Sequence, residues 1–251
     1  MKILIDNDLV NLVTPGVFCG FSANALNPNI MSVYDSFDVV NPDIYIANLS
    51  NVTDSVIKNI EERPALKTHF FQTKVSDELV IEKLNNKLGN SFIISEYKPF
   101  GDILKYYRKP GLPYLKADIT CIEEDFIDNL ELLYFKMSLK YRIFSDKRVV
   151  AHSNYCGVLP DQLKAPALTS SRYAIVDDKN YMNCYLCDCR PIFSFCNAQD
   201  EVETDYSSEI KEAKESILSG STNFHLFSSI LDALGYNRES KIVLEKLKEL
   251  L

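Results

Sequence analysis

Short apolar segments alternate with amphipathic helical segments along most of this chain, and the alternation constrains the fold more than any other feature. The apolar segments have the length of β-strands and end in polar or Gly/Pro-containing loops. They lie at residues 2–6, 43–47, 66–71 and 91–95 in the first half, and at 117–122, 141–144, 172–176 and 190–195 in the second. Strands that are separated by helices form parallel sheets covered by helices, so the sequence predicts an α/β fold.

Helices are predicted where apolar residues recur every three or four positions. One helix is predicted between Thr53 and Pro64, and the others at 32–40, 77–88, 126–139, 162–169, 179–187, 210–218, 224–234 and 239–251. The stretch 14–29 contains Pro15, Gly16 and Gly20 and is predicted as mostly loop, with a short helix at most.

The densest group of helix- and strand-breaking residues lies at 98–113, which contains three prolines and two glycines. Such a cluster is typical of a link between structural units. We therefore predict an α/β half at residues 1–97, a second at 98–206 and a helical tail at 207–251.

The chain is acidic, with 27 Lys and Arg against 35 Asp and Glu and a net charge of -8. Nucleic-acid binding requires clustered basic residues, so we expect no nucleic-acid partner. No apolar run approaches the roughly 18–20 residues of a membrane helix, and Asp6 interrupts the N-terminal run too early for a signal peptide. We expect a cytoplasmic protein with no membrane partner and with its seven cysteines reduced.

Ligands of open parallel sheets bind beyond the carboxyl ends of the strands. In this chain those ends lead into residues 6–8, 48–51, 152–157 and 177–183. Neither a G-x-G-x-x-G motif nor a P-loop is present, which excludes these two phosphate-binding modes.

Asp6 and Asp8 follow the first strand and are the candidate catalytic residues. Two carboxylates at this position can act as a general base or bind a cation, or Asp6 can cap backbone donors while Asp8 is solvated. A phosphoacceptor receiver domain would require an Asp at position 48, where this chain has Asn48.

Cysteines and histidines suggest a zinc site only weakly. Cys184, Cys187 and Cys189, with Cys156, Cys196 and His152 elsewhere, lack the paired spacing of structural zinc sites, and core packing is the favoured interpretation. His69 lies within a predicted strand and His225 on a predicted helix, so only His152 is expected near a ligand site.

Arg172 and Arg190 are each flanked by apolar strand residues and are expected near a buried pocket. Their guanidinium groups could bind a diphosphate or carboxylate, or form salt bridges with Asp177, Asp178 or Asp188. The sequence leaves both alternatives open.

Two stretches carry a resemblance to a known family. The first is 41–46, followed by Asn48 and the Thr53 to Pro64 helix; the second runs through 155–160, 167–176 and 179–192. Together they resemble the two halves of GT-B glycosyltransferases of the CgeB-like, spore-protein type. The resemblance implies two Rossmann-like parallel-sheet halves, with a C-terminal helical segment that packs back across both. It also implies a nucleotide-sugar or glycan bound in the cleft between them, and neither a metal nor another cofactor.

The resemblance also implies roles for individual residues. Asp6 or Asp8 would be the base that activates the acceptor. The substrate-binding residues would be Asn48, His152, Asn154, Tyr155, Gly157, Arg172, Asp177, Asn180, Asn183 and Arg190.

The stretch 183–189 departs from the family pattern because it has neither the Glu nor the Gly of the family's helix and turn. Two functions therefore stay open. The chain is a glycosyltransferase-like protein that binds, and can transfer, a sugar, or it is an inactive relative that serves as a scaffold or assembly subunit. The second function would involve protein partners or self-assembly, for instance in a phage particle, with the virion as its location.

Overall fold

The computed structural model describes residues 1–26, 33–72, 78–122, 141–144, 155–176, 180–192 and 205–251. The chain divides into two compact units. The first contains Met1–Lys98 and Asn223–Leu251, and the second contains Pro99–Thr222. Each unit has a purely parallel sheet with helices, which confirms the predicted α/β class and is consistent with two Rossmann-like halves.

The first unit is built on a five-stranded sheet in the order β2-β1-β3-β4-β5. Its strands are β1 (Lys2–Asp6), β2 (Ser22–Leu26), β3 (Ile44–Asn48), β4 (Lys67–Gln72) and β5 (Phe92–Glu96). The chain first moves from β1 to one side and then returns past β1 to build the other side. Because such crossovers are right-handed, this reversal places helices on both faces of the sheet.

One face of this sheet is covered by α2 (Val33–Val40), α3 (Asp54–Glu61) and α4 (Glu78–Leu88). Their apolar stripes bury Phe37, Val56 and Leu84 in one core with Tyr45 and Phe70 of the sheet. Thr53 begins α3 by accepting a hydrogen bond from the Val56 backbone N–H at 3.4 Å, as its position before the apolar stripe predicts.

Three further helices of this unit pack among themselves: α1 (Val10–Phe18), α9 (Asn223–Ala233) and α10 (Asn237–Leu250). In α1 and α9, Phe18 and Phe224 meet edge to face at 6.4 Å. A buried hydrogen bond of 2.7 Å joins the hydroxyls of Ser228 in α9 and Ser240 in α10.

The prediction of mostly loop at 14–29 is wrong, because α1 and β2 occupy much of this stretch. Pro15 lies inside α1 and cannot donate to the Asn11 carbonyl. That carbonyl instead accepts from the Thr14 hydroxyl at 2.9 Å and from the Asn223 side chain at 3.4 Å. β2 is a largely exposed edge strand, so it lacks the apolar signal of a buried strand.

The second unit has a four-stranded sheet in the order β7-β6-β8-β9. Its strands are β6 (Ala117–Cys121), β7 (Tyr141–Ile143), β8 (Ser171–Ile175) and β9 (Arg190–Ile192). Its described helices are α5 (Ile103–Tyr106), α6 (Asp161–Thr169), α7 (Tyr181–Leu186) and α8 (Ser207–Gly220). The predicted helix at 126–139 and the end of the predicted strand at 193–195 lie outside the described residues.

The helices of the predicted tail at 207–251 divide between the units. α8 packs against α7 in the second unit, whereas α9 and α10 belong to the first. The division follows the burial of apolar side chains, because Phe224 and Phe227 of α9 are fully buried beside α1. No described helix combines the length and the apolar character needed to cross a membrane.

We predict that Gly16→Ala destabilises the protein although alanine favours helices. An added Cβ at position 16 would lie 2.7 Å from the ring of Phe227, which is fully buried and cannot turn into solvent. We expect a loss of about 1–3 kcal/mol in the free energy of unfolding, measured by chemical denaturation.

The matched control is Gly220→Ala, also at a helical glycine, where an added Cβ meets nothing within 4 Å. We expect this variant to be neutral or up to about 1 kcal/mol more stable. Equal stability of the two variants would contradict the close approach of α1 and α9.

Candidate functional site

The first candidate site lies at the carboxyl end of β1, where the winding of the first sheet reverses. The crossover after β1 leads to β2 on one side, and the crossover after the neighbouring strand β3 leads to β4 on the other, so the two connections leave in opposite directions. Ligands of open parallel sheets bind beyond such a point. The predicted residues Asp6, Asp8 and Asn48 come together there.

Asp6 accepts three hydrogen bonds from residues that follow or lie within β3. Its Oδ1 accepts from the Tyr45 hydroxyl at 3.0 Å, and its Oδ2 accepts from the Asn48 backbone N–H and the Asn51 side-chain amide, both at 3.0 Å. The backbone donor is thus 42 residues away in sequence rather than local. Asp6 therefore joins β1 to the end of β3.

Burial raises the pKa of Asp6 above its ordinary value, even though the three hydrogen bonds stabilise the charged form. The side chain is only 4% exposed, and the nearby Asp8 carboxylate adds a smaller effect in the same direction. Burial also raises the pKa of Tyr45, and the Asp6 charge raises it further, so Tyr45 remains a neutral donor.

Asp8 is exposed, and its Oδ2 accepts a short hydrogen bond from Nδ2 of Asn48. The Oδ1 atom of Asn48 is buried and has no hydrogen-bond partner among the described residues. The site therefore combines a buried carboxylate, an exposed carboxylate and an unsatisfied amide oxygen.

The second candidate site is a pocket of about 310 Å³, open solvent included, in the second unit. Ile122 and Val176 lie at its wall, each directly after a central strand, β6 or β8. This is the point at which the winding of the second sheet reverses. The other lining residues are Tyr106, Lys164, Leu168, Asn180 and Asn183.

Two predicted substrate-binding residues, Asn180 and Asn183, therefore line this pocket. Asn183 is held firmly, because its Oδ1 accepts from the Asp102 backbone N–H at 2.9 Å and its Nδ2 donates to Asn180 at 3.4 Å. Lys164 supplies a cation at the pocket, although its Nζ also lies 3.5 Å from Asp161.

The predicted tyrosine–glycine loop follows the end of β7. Tyr155 forms a parallel bridge with Ile143, and Gly157 adopts φ +85°, a conformation that favours glycine. Neither residue lines the pocket of the second unit. The predicted residues His152, Asn154 and Asp177 lie outside the described residues.

Arg172 and Arg190, which were expected near a buried pocket, are not among the residues that line the pocket described above. Arg190 packs over the Tyr206 ring at 3.2 Å, and its Nε lies 3.4 Å from Glu209. Arg172 is exposed, with its guanidinium 5.5 Å from the Tyr173 ring. Arg172 lies near the amino end of β8 and Arg190 at the start of β9, whereas Val176 of the pocket follows the carboxyl end of β8. The Glu209 partner of Arg190 comes from α8.

Asp188, an alternative partner for these arginines, instead pairs with Lys214 at 2.7 Å.

The cysteines Cys184, Cys187 and Cys189 are buried. Burial raises the pKa of Cys187 to about 12 and also raises that of Cys189, so both thiols stay protonated at neutral pH. The described residues contain no group of three His, Cys, Asp or Glu side chains that could hold a metal ion.

His69 is buried on β4, within a strand as the sequence predicts. Its Nε2 lies 2.9 Å from the Ser95 hydroxyl, and its Nδ1 has no partner among the described residues. Burial lowers the pKa of His69 to about 4, so the imidazole is neutral at physiological pH.

Sequence reasoning missed Tyr45 and Asn51 at the first site and Tyr106 and Lys164 at the second. Asn51 lies in the polar run after β3 that the strand-end rule identifies, so a signal for it existed. The sequence carries no comparable signal for Tyr45 or Lys164. Tyr45 looks like any aromatic residue of the core, and Lys164 looks like any lysine on a helix, until their tertiary contacts are known.

Comparison with protein-family models finds none that matches this chain, and a search of curated proteins finds no match either.

We predict that Asp6→Ala destabilises the protein much more than Asp6→Asn. Alanine leaves three donors without an acceptor, which we expect to cost about 2–4 kcal/mol of unfolding free energy. Asparagine can keep its oxygen towards Asn48 and Asn51 and donate its amide to the Tyr45 hydroxyl, which can rotate to accept.

We therefore expect Asp6→Asn to lose less than about 1.5 kcal/mol in chemical denaturation. Tyr45→Phe provides the control, because it should remove this rescue and make Asp6→Asn costlier in the double variant. Equal destabilisation by Asp6→Ala and Asp6→Asn would contradict the described network.

His69 should make stability depend on pH. Its pKa is about 4 in the folded state and near 6.5 when exposed, so the unfolded chain binds the proton more readily. Above about pH 6.5 the buried imidazole makes its full contribution to the free energy of unfolding. As pH falls towards 4, that free energy decreases by on the order of 3 kcal/mol. We expect the free energy of unfolding of His69→Gln, measured by chemical denaturation, to depend less on pH between these values.

His225→Gln is the control, since the pKa of His225 is also lowered by burial but the residue is less buried. This variant should keep most of the pH dependence. An unchanged pH profile in His69→Gln would show that the imidazole is not buried as described.

Proposed function

We propose that this protein binds a nucleotide-sugar, with the nucleotide portion in the pocket of the second unit. The observation that carries the proposal is the position of this pocket at the carboxyl ends of β6 and β8, where the sheet winding reverses. A fold class does not determine function, so the lining residues must also suit a nucleotide chemically.

The lining residues suit a nucleotide in composition. Ile122, Leu168 and Val176 offer apolar surface for a base or ribose face, while Asn180 offers an amide for hydrogen bonding. Lys164 is the described cation at the pocket and is suited to a phosphate as a point charge.

The path of the chain gives independent support for the GT-B resemblance. After the second unit is complete, α9 and α10 return to the first unit. The resemblance implies a C-terminal helical segment that packs back across both halves, and the return of the chain to the first unit is consistent with that expectation. It also assigns the donor nucleotide to the second half, which contains the described pocket.

Sugar transfer would additionally require a base for the acceptor hydroxyl. Asp8 fits this role better than Asp6, because Asp8 is exposed whereas Asp6 is buried and already accepts three hydrogen bonds. We propose Asp8 as the base if transfer occurs, in a protein that acts in the cytoplasm.

A second function, ligand binding without transfer in a scaffold or assembly subunit, is favoured by the cations of the second unit. Arg190 is engaged by Glu209 and Tyr206, and Lys105 and Lys164 share Asp161. Fewer cations are thereby left to stabilise a departing diphosphate. In a phage or other large assembly, such a protein would be part of the particle.

We predict that UDP, GDP or their sugar conjugates raise the thermal midpoint of unfolding. A ligand at ten times its dissociation constant stabilises the folded state by about 1.4 kcal/mol, which corresponds to a shift of about 3–6 °C for a chain of this size. Calorimetric titration should then give a saturable binding curve.

Lys164→Ala should weaken nucleotide binding, whereas Lys105→Ala should not. Both lysines pair with Asp161, but only Lys164 lines the pocket, so the pair separates phosphate contact from loss of a surface ion pair. The absence of binding across a panel of nucleotide-sugars, or equal effects of the two variants, would refute the proposed site.

A separate assay distinguishes transfer from binding alone. Transfer would release nucleoside diphosphate from the sugar donor, and this release should be lost in Asp8→Asn.

A further inference from the structure

One buried polar atom of the first unit is left without a partner. Oδ1 of Asn48 makes no hydrogen bond to any described residue, although the Asn48 side chain is only 7% exposed. Buried carbonyl oxygens nearly always accept a hydrogen bond or contact a cation, because leaving one unsatisfied is costly. No residue in the part of the chain that the structure describes supplies such a partner.

The orientation of the Asn48 amide is fixed by its neighbour. Its Nδ2 donates to Oδ2 of Asp8, and the Asn48 backbone N–H donates to Oδ2 of Asp6. Exchanging the two amide atoms would place the amide oxygen against the Asp8 carboxylate, which is unfavourable. Oδ1 is thus an acceptor with no partner among the described residues, on a residue whose backbone contacts Asp6 and whose side chain contacts Asp8.

The two residues that Asn48 contacts, Asp6 and Asp8, are both acidic. Neither Asp6 nor Asp8 forms an ion pair with any lysine or arginine in the part of the chain that the structure describes. Oδ1 of Asp6 accepts only the Tyr45 hydroxyl, and Oδ1 of Asp8 accepts no hydrogen bond from a described residue. Three oxygens on neighbouring side chains can therefore accept a further partner.

We propose that Asp6, Asp8 and Asn48 bind one Mg²⁺ ion at the carboxyl end of β1. Carboxylate and amide oxygens are the ligands that hard divalent cations prefer, and two carboxylates with several waters are typical of magnesium. A magnesium ion would satisfy the orphan oxygen of Asn48 and neutralise both carboxylates. This inference does not depend on nucleotide binding, which is proposed for residues of the second unit. It is an alternative to the role of Asp8 as a base, because a carboxylate that coordinates magnesium is not free to accept a proton.

The test is a calorimetric titration of the full, chelator-treated chain with MgCl₂ at constant ionic strength. We expect saturable binding of one ion per chain at millimolar or lower concentration. Asp8→Asn should weaken this binding about tenfold or more, and because Asp8 is exposed the variant should fold normally. Asn48→Asp, which adds a third carboxylate, should strengthen it.

Asp43→Asn is the matched control. Asp43 is an exposed aspartate of the same unit that accepts a hydrogen bond from the Lys2 backbone N–H, and it is not part of this cluster. Its variant should bind magnesium like the unchanged chain. The proposal is overturned if no saturable binding occurs, which would leave Asn48 satisfied by water alone. It is also overturned if Asp8→Asn and Asp43→Asn bind equally.

Discussion

The parallel pairing of β1 with a strand on each side is the constraint on which the first unit depends. Parallel strands need long crossovers, and the right-handed crossovers from β1 to β2 and from β2 back to β3 run in opposite directions, which places helices on opposite faces. The segments that follow β1 and β3 also depart in opposite directions, and the space between them opens at the carboxyl ends of these two strands. Asp6 fills the base of that space and joins it to β3 through three hydrogen bonds, so the topology and the polar cluster arise together.

The two units use the same sheet edge for different chemistry. The first unit presents acceptors, namely two carboxylates and the buried amide oxygen of Asn48, and so attracts a cation or a hydrogen-bond donor. The second presents apolar residues beside asparagines and Lys164, which suit an anionic ligand with a flat apolar part. In both units the candidate site lies at the carboxyl ends of central strands, and the strands provide rigid positions.

The buried strands and the helices that pack on them were predictable because each carries its own pattern. β3 is an apolar run that ends at a polar cluster, and α3 has a capping threonine followed by an apolar stripe. The stretch of α1 and β2 was not predictable in this way. Pro15 is tolerated in α1 because side chains satisfy the Asn11 carbonyl, and one of those side chains, Asn223, lies 212 residues away in sequence.

By itself, the sequence determined the α/β class, the order of most elements and the strand ends at which polar residues gather, because periodicity and strand direction are local properties. Only the tertiary structure decided which of those residues meet. Asp6 and Asn48 come together because β1 and β3 are neighbours, and Arg190 pairs with Glu209 because α8 packs beside it. Which side chains pair with one another depends on strand order and helix packing. Contacts between distant parts of the chain determine both, so no local sequence pattern encodes them.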